Sequence, residues 1–477
     1  MYPSIVLLMS VLVVVLALLV FLRKSNDIFN KFLKVVTVAF CAIGIFRYFL
    51  SDSFIYIING ASFNGVYYKQ TDVLQTILRW GYYLNYVVLP MAIFFNSRLF
   101  KNIASYVCLP FSILSAIFFN DFMGYFLSPR GEGMHLVEWF RYAYFVLELV
   151  LAISIPIMLQ IRHKHIFNFK DKKEWLSFLI ALPLIAIVLM PVYVPQSLIG
   201  YSNMIAEIGS KFHIGWIIVS VVLVLALYYL FRFTTYRTRY MLVMFLTLAL
   251  FFNYNSIFLM GTTLSRLPVQ LCNLAAYLFL ISIAFKMKRM FQFCFLANTT
   301  GAIIALVAAD FSGGALGFWN MHFVWEHTLV FIIPILALWL RIFPRIDRKA
   351  IKYSMIGFTI YFIFCFTIGT IINGYADITG TTVNYFFMFD LDKAFKYVPR
   401  LTFARDIFFT FGRFVVYPVV VSTIYLGFTA LYILFYKFTK FLFKVEDEQL
   451  ELRKSAIDLY EKHTNKKSRR ARDFKSE

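Results

Sequence analysis

The sequence predicts an all-α polytopic membrane protein with about 13 transmembrane helices, arranged as two parallel six-helix repeats plus one C-terminal helix. Of its 477 residues, 61% are hydrophobic and only 15% are charged. A soluble chain of this length cannot hide so much apolar surface in its core. Apolar runs of about 20 residues, the length that spans a bilayer, recur along nearly the whole sequence. These observations exclude a soluble globular class.

The apolar runs give the position of each predicted helix. They cover residues 3–22, 33–51, 78–96, 102–119, 137–160, 174–196, 213–232, 240–260, 267–286, 290–309, 323–341, 352–373 and 412–436. No basic region precedes the first run and no small-residue cleavage site follows it. We therefore expect a retained helix there and not a signal peptide.

Lysine and arginine cluster in every second short loop between these runs. Cytoplasmic loops are enriched in these residues, so the pattern predicts a plasma-membrane protein with its N-terminus outside and its C-terminus in the cytoplasm. The 374–411 loop is the exception, because it carries basic residues on the predicted outer side. The same clustering accounts for the net charge of +21 without nucleic acid as a partner.

Four segments of the first half recur in the second half in the same order. The pairs are Val15–Arg23 with Val224–Arg232, Leu78–Tyr86 with Ser265–Asn273, Asn120–Gly124 with Ala309–Gly313, and Ser154–Met158 with Ile332–Leu336. Parallel repeats are known in transporters, and chance similarity between apolar runs is the alternative. We predict a degenerate first repeat at 1–200, a site-bearing second repeat at 211–410 and an extra transmembrane helix at 411–444.

The remaining segment, 445–477, is about half charged. This composition is typical of a short solvated cytoplasmic helix with a disordered end. Its basic end could also contact anionic lipid.

The cysteines and histidines do not form a pattern of cofactor ligands. All five cysteines fall inside apolar runs, so no disulfide framework is expected. His322 and His327 are five residues apart, which does not put them on one helical face, and no cysteine pair has zinc spacing. We therefore expect neither a metal nor a cofactor.

Polar residues gather near the predicted outer ends of three helices in the second half. Ionisable groups at membrane depth are costly and mark functional sites by default. The candidate nucleophile is Cys272 and the candidate base is His327. The supporting candidates are Arg266, Gln270, Asn273, Asp310 and Asn384.

This set of residues suits nucleophilic acyl transfer at the depth of the lipid headgroups. A histidine can activate a thiol, and amides or an arginine can stabilise an oxyanion. Each residue also has a structural interpretation. A lone cysteine can be a small packing residue, asparagine and glutamine often join helices, and Asp310 could be an interfacial cap.

At these residues the sequence resembles the YwaF family of bacterial integral membrane proteins. That family has an L-P-x-H-x-C-[DN] opening of one helix, a downstream histidine and a G-x-N-Y-like segment. The counterparts are Leu267, Pro268, Gln270, Cys272 and Asn273, then His327, then Thr382–Tyr385. Gln270 stands where the family has histidine. The resemblance covers about 211–390 and implies a bacterial plasma-membrane protein.

This family is in turn similar to animal multi-pass enzymes that transfer fatty acyl chains between phospholipids. Their H-x-x-x-[YF]-x-x-P-[IV] segment is matched by His327, Phe331, Pro334 and Ile335. Their reactive cysteine aligns with Val269, one turn from Cys272. In the first repeat, the positions of Cys272 and His327 hold Asn85 and about Leu149.

The leading hypothesis is an acyltransferase that takes an acyl chain from an outer-leaflet phospholipid and passes it to a lipid, glycolipid or lipoprotein. Its expected partners are membrane lipids, and the oligomeric state is left open. The alternatives are a transporter or flippase built from two parallel halves, and a non-catalytic membrane scaffold. A transporter predicts functional residues in both repeats near the midplane.

Overall fold

The structure is a computed structural model. It describes residues 3–22, 26–49, 73–119, 138–162, 166–189, 204–255, 257, 264, 267–311, 313–380, 382–389 and 399–473. The first-half helices are α1 (Pro3–Leu22), α2 (Asn26–Phe49), α3 (Val73–Phe94), α4 (Arg98–Ile103), α5 (Leu109–Ile117), α6 (Glu138–Arg162) and α7 (Lys172–Leu189). The later helices are α8 (Lys211–Phe231), α9 (Tyr236–Asn255), α10 (Leu271–Ala284), α11 (Lys288–Phe293), α12 (Thr299–Val307), α13 (Phe318–Trp339), α14 (Arg348–Gly374), α15 (Ala376–Thr379) and α16 (Pro418–Asp473).

Among the described residues, helices occupy most of the predicted apolar runs, which confirms the membrane class. Within the described ranges, 9 helical segments are long and apolar enough to cross a membrane. Two shorter apolar stretches, Gly81–Phe94 and Leu271–Ala284, add to them. The count of about 13 spans and the orientation of the termini stay predictions.

The helix α13 lies at the centre of the second half. Its span Trp319–Trp339 is 89% buried, whereas the spans of α1 and α8 are 11% and 17% buried. It packs against α8, α9, α10 and α12. A helix that is hydrophobic on all sides and surrounded by others is a core helix, so side chains on α13 face protein and not lipid.

The two halves contain matching irregular segments. In each half a six-residue helix (α4 or α11) continues as a five-residue π-helix and then as a nine-residue helix (α5 or α12). The π-helices are π1 (Ala104–Cys108) and π2 (Cys294–Asn298). A residue with positive φ precedes each unit, Asn96 at 49° and Lys286 at 52°. Because π-helices are rare, their recurrence at matching places is consistent with the predicted repeats.

The C-terminal part differs from the predicted helix at 412–436 followed by a separate tail. A hairpin of β1 (Phe409–Phe411) and β2 (Phe414–Val416), which turns at Gly412, precedes α16. The helix α16 is 56 residues long and continues through most of the charged tail. Residues 445–473 contain no glycine or proline and many Glu, Lys and Arg residues, which favour helix. A contact between the Arg345 guanidinium and the Asp447 carboxylate also holds the start of the tail.

Candidate functional site

The start of α10 is held by two neighbouring helices. The Asn298 side chain, at the end of π2, donates a hydrogen bond to the Leu271 carbonyl at 2.7 Å. The Cys365 thiol, on α14, donates to the Val269 carbonyl at 3.0 Å. Both partners are buried. The backbone on either side of Gln270, the N-cap residue of α10, is therefore fixed, and this places Cys272 in the first helical turn.

The side chain of Gln270 joins α10 to the segment 382–389. Its amide nitrogen donates to the Asn384 carbonyl at 3.0 Å, and its amide oxygen accepts from the Phe386 backbone at 3.1 Å. The Asn384 side chain in turn accepts from the Phe389 backbone at 3.1 Å. The structure thus brings these two predicted site residues together, but their side chains bond to the backbone of the loop that covers α10.

Cys272 lies where α10, α12 and α13 meet, and its side chain is half-buried. A Cβ atom placed on Gly301 of α12 would lie 3.7 Å from its sulfur. The Glu326 carboxyl group, on α13, lies within electrostatic range of the thiol. A carboxylate can accept a thiol proton, so this pair has the composition of a nucleophile and a base.

Glu326 and His322 form a buried pair on one face of α13. Their side chains are 5% and 7% exposed, and His322 Nδ1 lies 3.5 Å from Glu326 Oε2. The other oxygen, Oε1, makes no hydrogen bond to any described residue. A buried carboxyl oxygen without a partner carries a large desolvation cost, so its presence here requires an explanation.

His327 lies on a different face of the same helix. Successive residues of a helix are separated by about 100°, which turns His327 away from the Glu326 side. Its Nδ1–H donates to the Phe323 carbonyl at 2.7 Å, and its ring packs on that of Phe323 at 4.2 Å. In the neutral imidazole, Nε2 then carries the lone pair. Among the described residues, no hydrogen bond joins His327 to Cys272.

A polar cluster that sequence reasoning missed lies at the end of α9. Tyr254 is buried, shares a hydrogen bond with the Asn273 side chain and is within electrostatic range of Glu326. The Tyr277 hydroxyl donates to the Asn255 side chain at 2.6 Å. The sequence does contain a feature that could have indicated this cluster. It is the run Asn253–Asn255, three polar residues at the end of an apolar helix. These contacts connect α9, α10 and α13 around the Glu326 carboxyl group.

The other predicted site residues are Arg266 and Asp310. Arg266 lies outside the described residues. Asp310 follows the end of α12 and is exposed. In the ranges that the structure describes, no three His, Cys, Asp or Glu side chains are placed to hold a metal ion.

The corresponding part of the first half holds different side chains. Asn85, which aligns with Cys272, is fully buried and donates to the Tyr82 carbonyl and to the Ser112 hydroxyl, each at 2.9 Å. Glu148 is also fully buried. It lies eight residues before Pro156, and Glu326 lies eight residues before Pro334. Both halves therefore carry a buried glutamate at matching positions, but only the second carries the thiol.

Comparison with known proteins gives one family for the half that holds the site. No curated protein and no solved structure matches the chain significantly. The comparisons do not support the expected YwaF family or a bacterial origin. The stretch 208–443, which contains Cys272, Glu326 and His327, instead matches the TMEM164 family, a family of membrane proteins.

Proposed function

We propose that the protein is a membrane acyltransferase. It takes a fatty acyl chain from an outer-leaflet phospholipid and passes it to a lipid, glycolipid or lipoprotein acceptor. The observation that carries the proposal is the Cys272 thiol within electrostatic range of the buried Glu326 carboxyl group, in the half that matches the TMEM164 family. The resemblance of this half to multi-pass phospholipid acyltransferases supports the same chemistry.

In the first half-reaction, the Glu326 carboxylate takes the thiol proton of Cys272. The thiolate attacks the carbonyl carbon of the phospholipid ester. The bond to the glycerol oxygen breaks, and that oxygen leaves with the proton from Glu326 as the lysophospholipid hydroxyl. The acyl chain remains on Cys272 as a thioester, so one difficult transfer is divided into two easier steps.

In the second half-reaction, an acceptor hydroxyl or amine gives its proton to Glu326 and attacks the thioester. The acyl chain passes to the acceptor, and the thiolate recovers the proton. His322, 3.5 Å from Glu326, orients the carboxyl group. The Asn273 amide, in the same helical turn as the thiol, is the proposed donor for the developing oxyanion.

His327 is a second candidate for the proton acceptor. Its bond to the Phe323 carbonyl leaves Nε2 as the basic nitrogen. To reach the thiol it must act through water or after a rotation of its ring. Separate substitutions of Glu326 and His327 distinguish the two acceptors.

The test is a lipid-like, thiol-directed acyl probe applied to the purified full-length protein, with the labelled residue mapped by mass spectrometry. We expect labelling at Cys272 and transfer of a phospholipid acyl chain that is lost in Cys272→Ala. Cys294→Ala is the matched control, because Cys294 is fully buried in π2. Transfer that persists in the Cys272→Ala, His327→Ala double variant would exclude the mechanism.

One observation favours a second function, proton-coupled transport between two repeats. Glu148 and Glu326 occupy matching places before Pro156 and Pro334, and buried carboxyl groups in membrane helices are typical of proton pathways. A transporter needs both glutamates and not the thiol. Proton uptake into proteoliposomes that is lost in Glu148→Gln but kept in Cys272→Ala would favour transport. Phospholipid acyl transfer that is lost in Cys272→Ala but kept in Glu148→Gln would favour the acyltransferase.

A further inference from the structure

A groove of about 620 Å³ opens on the surface of the second half between α10, α11 and α14. Its walls are apolar side chains such as Leu278, Met290 and Phe364, with Arg289 and Tyr353 at one end. The volume lies within the range of about 300–1,000 Å³ of small-molecule sites. The α10 side chains that line the groove are Leu274 and Leu278 and not Cys272, so the groove is a site distinct from the Cys272–Glu326 pair.

Close packing of α11 on α14 forms the floor of the groove. The Ser354 hydroxyl, on α14, donates to the Gln292 carbonyl at 3.1 Å, and both residues are buried. One turn further, a Cβ atom on Gly357 would lie 2.8 Å from the Phe293 ring. Only glycine lets the ring lie against the helix there, so the floor is built by specific contacts.

The length of the groove matches one leaflet of a bilayer. Along α14 it extends from Tyr353 to Phe364, and 11 residues of helix rise about 16 Å. Half of a hydrocarbon core of about 30 Å is about 15 Å. Ile356, Ile360 and Phe364 are 49%, 65% and 49% exposed, so the groove is open to lipid along its side.

The end at Tyr353 is positively charged. The Arg289 guanidinium lies 5.0 Å from the centre of the Tyr353 ring. Lys288 precedes it, and Lys349 and Lys352 lie near the start of α14. In the described part of the chain, no carboxylate pairs with Arg289. Basic pockets between transmembrane helices on the side of the basic loops bind anionic lipid headgroups.

We infer that this groove binds one anionic phospholipid from the leaflet on the side of the basic loops. The phosphate contacts Arg289, and one acyl chain lies along Ile360 toward Phe364. The end of the chain reaches Tyr361, whose buried hydroxyl lies close to the Leu271 backbone and to the Cys365 thiol that holds the start of α10. The bound lipid thereby supports the backbone of the candidate site without reacting there.

The test is native mass spectrometry of the full-length protein, released from vesicles that contain equal amounts of phosphatidylglycerol and phosphatidylcholine. Wild-type protein is expected to retain one phosphatidylglycerol in preference to phosphatidylcholine. Ile360→Trp, which fills the groove, is expected to lose it. Arg289→Gln is expected to retain about fivefold less, because one basic residue near the membrane surface has an effect of this size.

Two matched variants control for fold and general charge. Ile363→Trp adds the same ring to an exposed lipid-facing position of α14 that does not line the groove. Lys172→Gln removes an exposed charge at the start of α7, in the first half, which also does not line the groove. Both are expected to retain the lipid, and a thermal unfolding scan verifies that all four variants fold. Equal retention of both lipids by the wild type, or retention by Ile360→Trp at the wild-type level, would overturn the inference.

Discussion

The substitution Glu326→Gln separates catalysis from stability at the candidate site. Glutamine has nearly the shape of glutamate but cannot accept the thiol proton. General base catalysis contributes about 10²-fold to 10⁴-fold to a rate. We therefore expect Cys272 acylation by a phospholipid-like thioester probe to slow by at least about 10²-fold.

The same substitution is not expected to weaken the fold. Glu326 is 5% exposed, its Oε1 has no hydrogen-bond partner among the described residues, and His322 lies 3.5 Å from Oε2. Burying a carboxylate with so few partners is costly. A neutral amide removes that cost, so the thermal midpoint should stay the same or rise. If Glu326 served only in packing, Glu326→Gln would lower the stability and cause no specific loss of acylation.

The assay measures acylation by intact-protein mass spectrometry and unfolding by a thermal scan of the same preparations. Glu148→Gln is the matched control, because it removes the buried glutamate of the first half and should leave acylation within about twofold. His327→Gln is measured beside them. Acylation of Glu326→Gln at the wild-type rate would refute the role of the carboxyl group, and a specific loss in His327→Gln would assign that role to the histidine.

Three further predictions concern the surroundings of the site and the tail. Gly301→Val places atoms against the start of α10, because a Cβ on residue 301 would lie 3.2 Å from the Leu271 side chain. It should cost about 1–3 kcal/mol of stability and slow thiol labelling. Gly215→Val, whose added Cβ meets nothing within 4 Å, should do neither. Tyr277→Phe removes a 2.6 Å hydrogen bond and should lower the free energy of unfolding by about 1 kcal/mol, measured by denaturant titration. The hydrogen bond from Arg345, together with its charge, lowers the pKa of the Asp447 carboxyl below its usual 3.8, so the stabilisation by this contact is present above that value and is lost as the pH falls through the lowered pKa. Asp447→Asn should break the contact at pH 7, as low pH does in the wild type. The result would be a longer distance between a spin label on the Arg345 loop and one on the C-terminal part of α16.

Several features of the fold could be predicted because each helix that crosses a membrane needs a long apolar run in the sequence. Apolar runs of spanning length indicated where helices form, since an unpaired backbone group in lipid is too costly. The recurrence of Val15–Arg23 and Ser154–Met158 in the second half predicted a repeat, and the structure has matching irregular helices elsewhere in the two halves, at Arg98–Ile117 and Lys288–Val307. The hairpin before α16 was missed, because Phe409–Val416 is as apolar as the helices around it.

For the candidate site, the sequence predicted Cys272 and His327, whose catalytic roles stay predictions, and it did not single out Glu326. The sequence by itself determined that Cys272 and His327 belong to apolar helices of the second half, because such costly groups are rare at membrane depth. Only the tertiary structure decided that the Glu326 carboxyl group lies within electrostatic range of the thiol, whereas no hydrogen bond joins His327 to the thiol among the described residues. The reason is physical: adjacent residues on a helix point about 100° apart. Which of them faces a neighbouring helix depends on how α13 is rotated in the bundle, and that rotation is set by packing against four other helices at once.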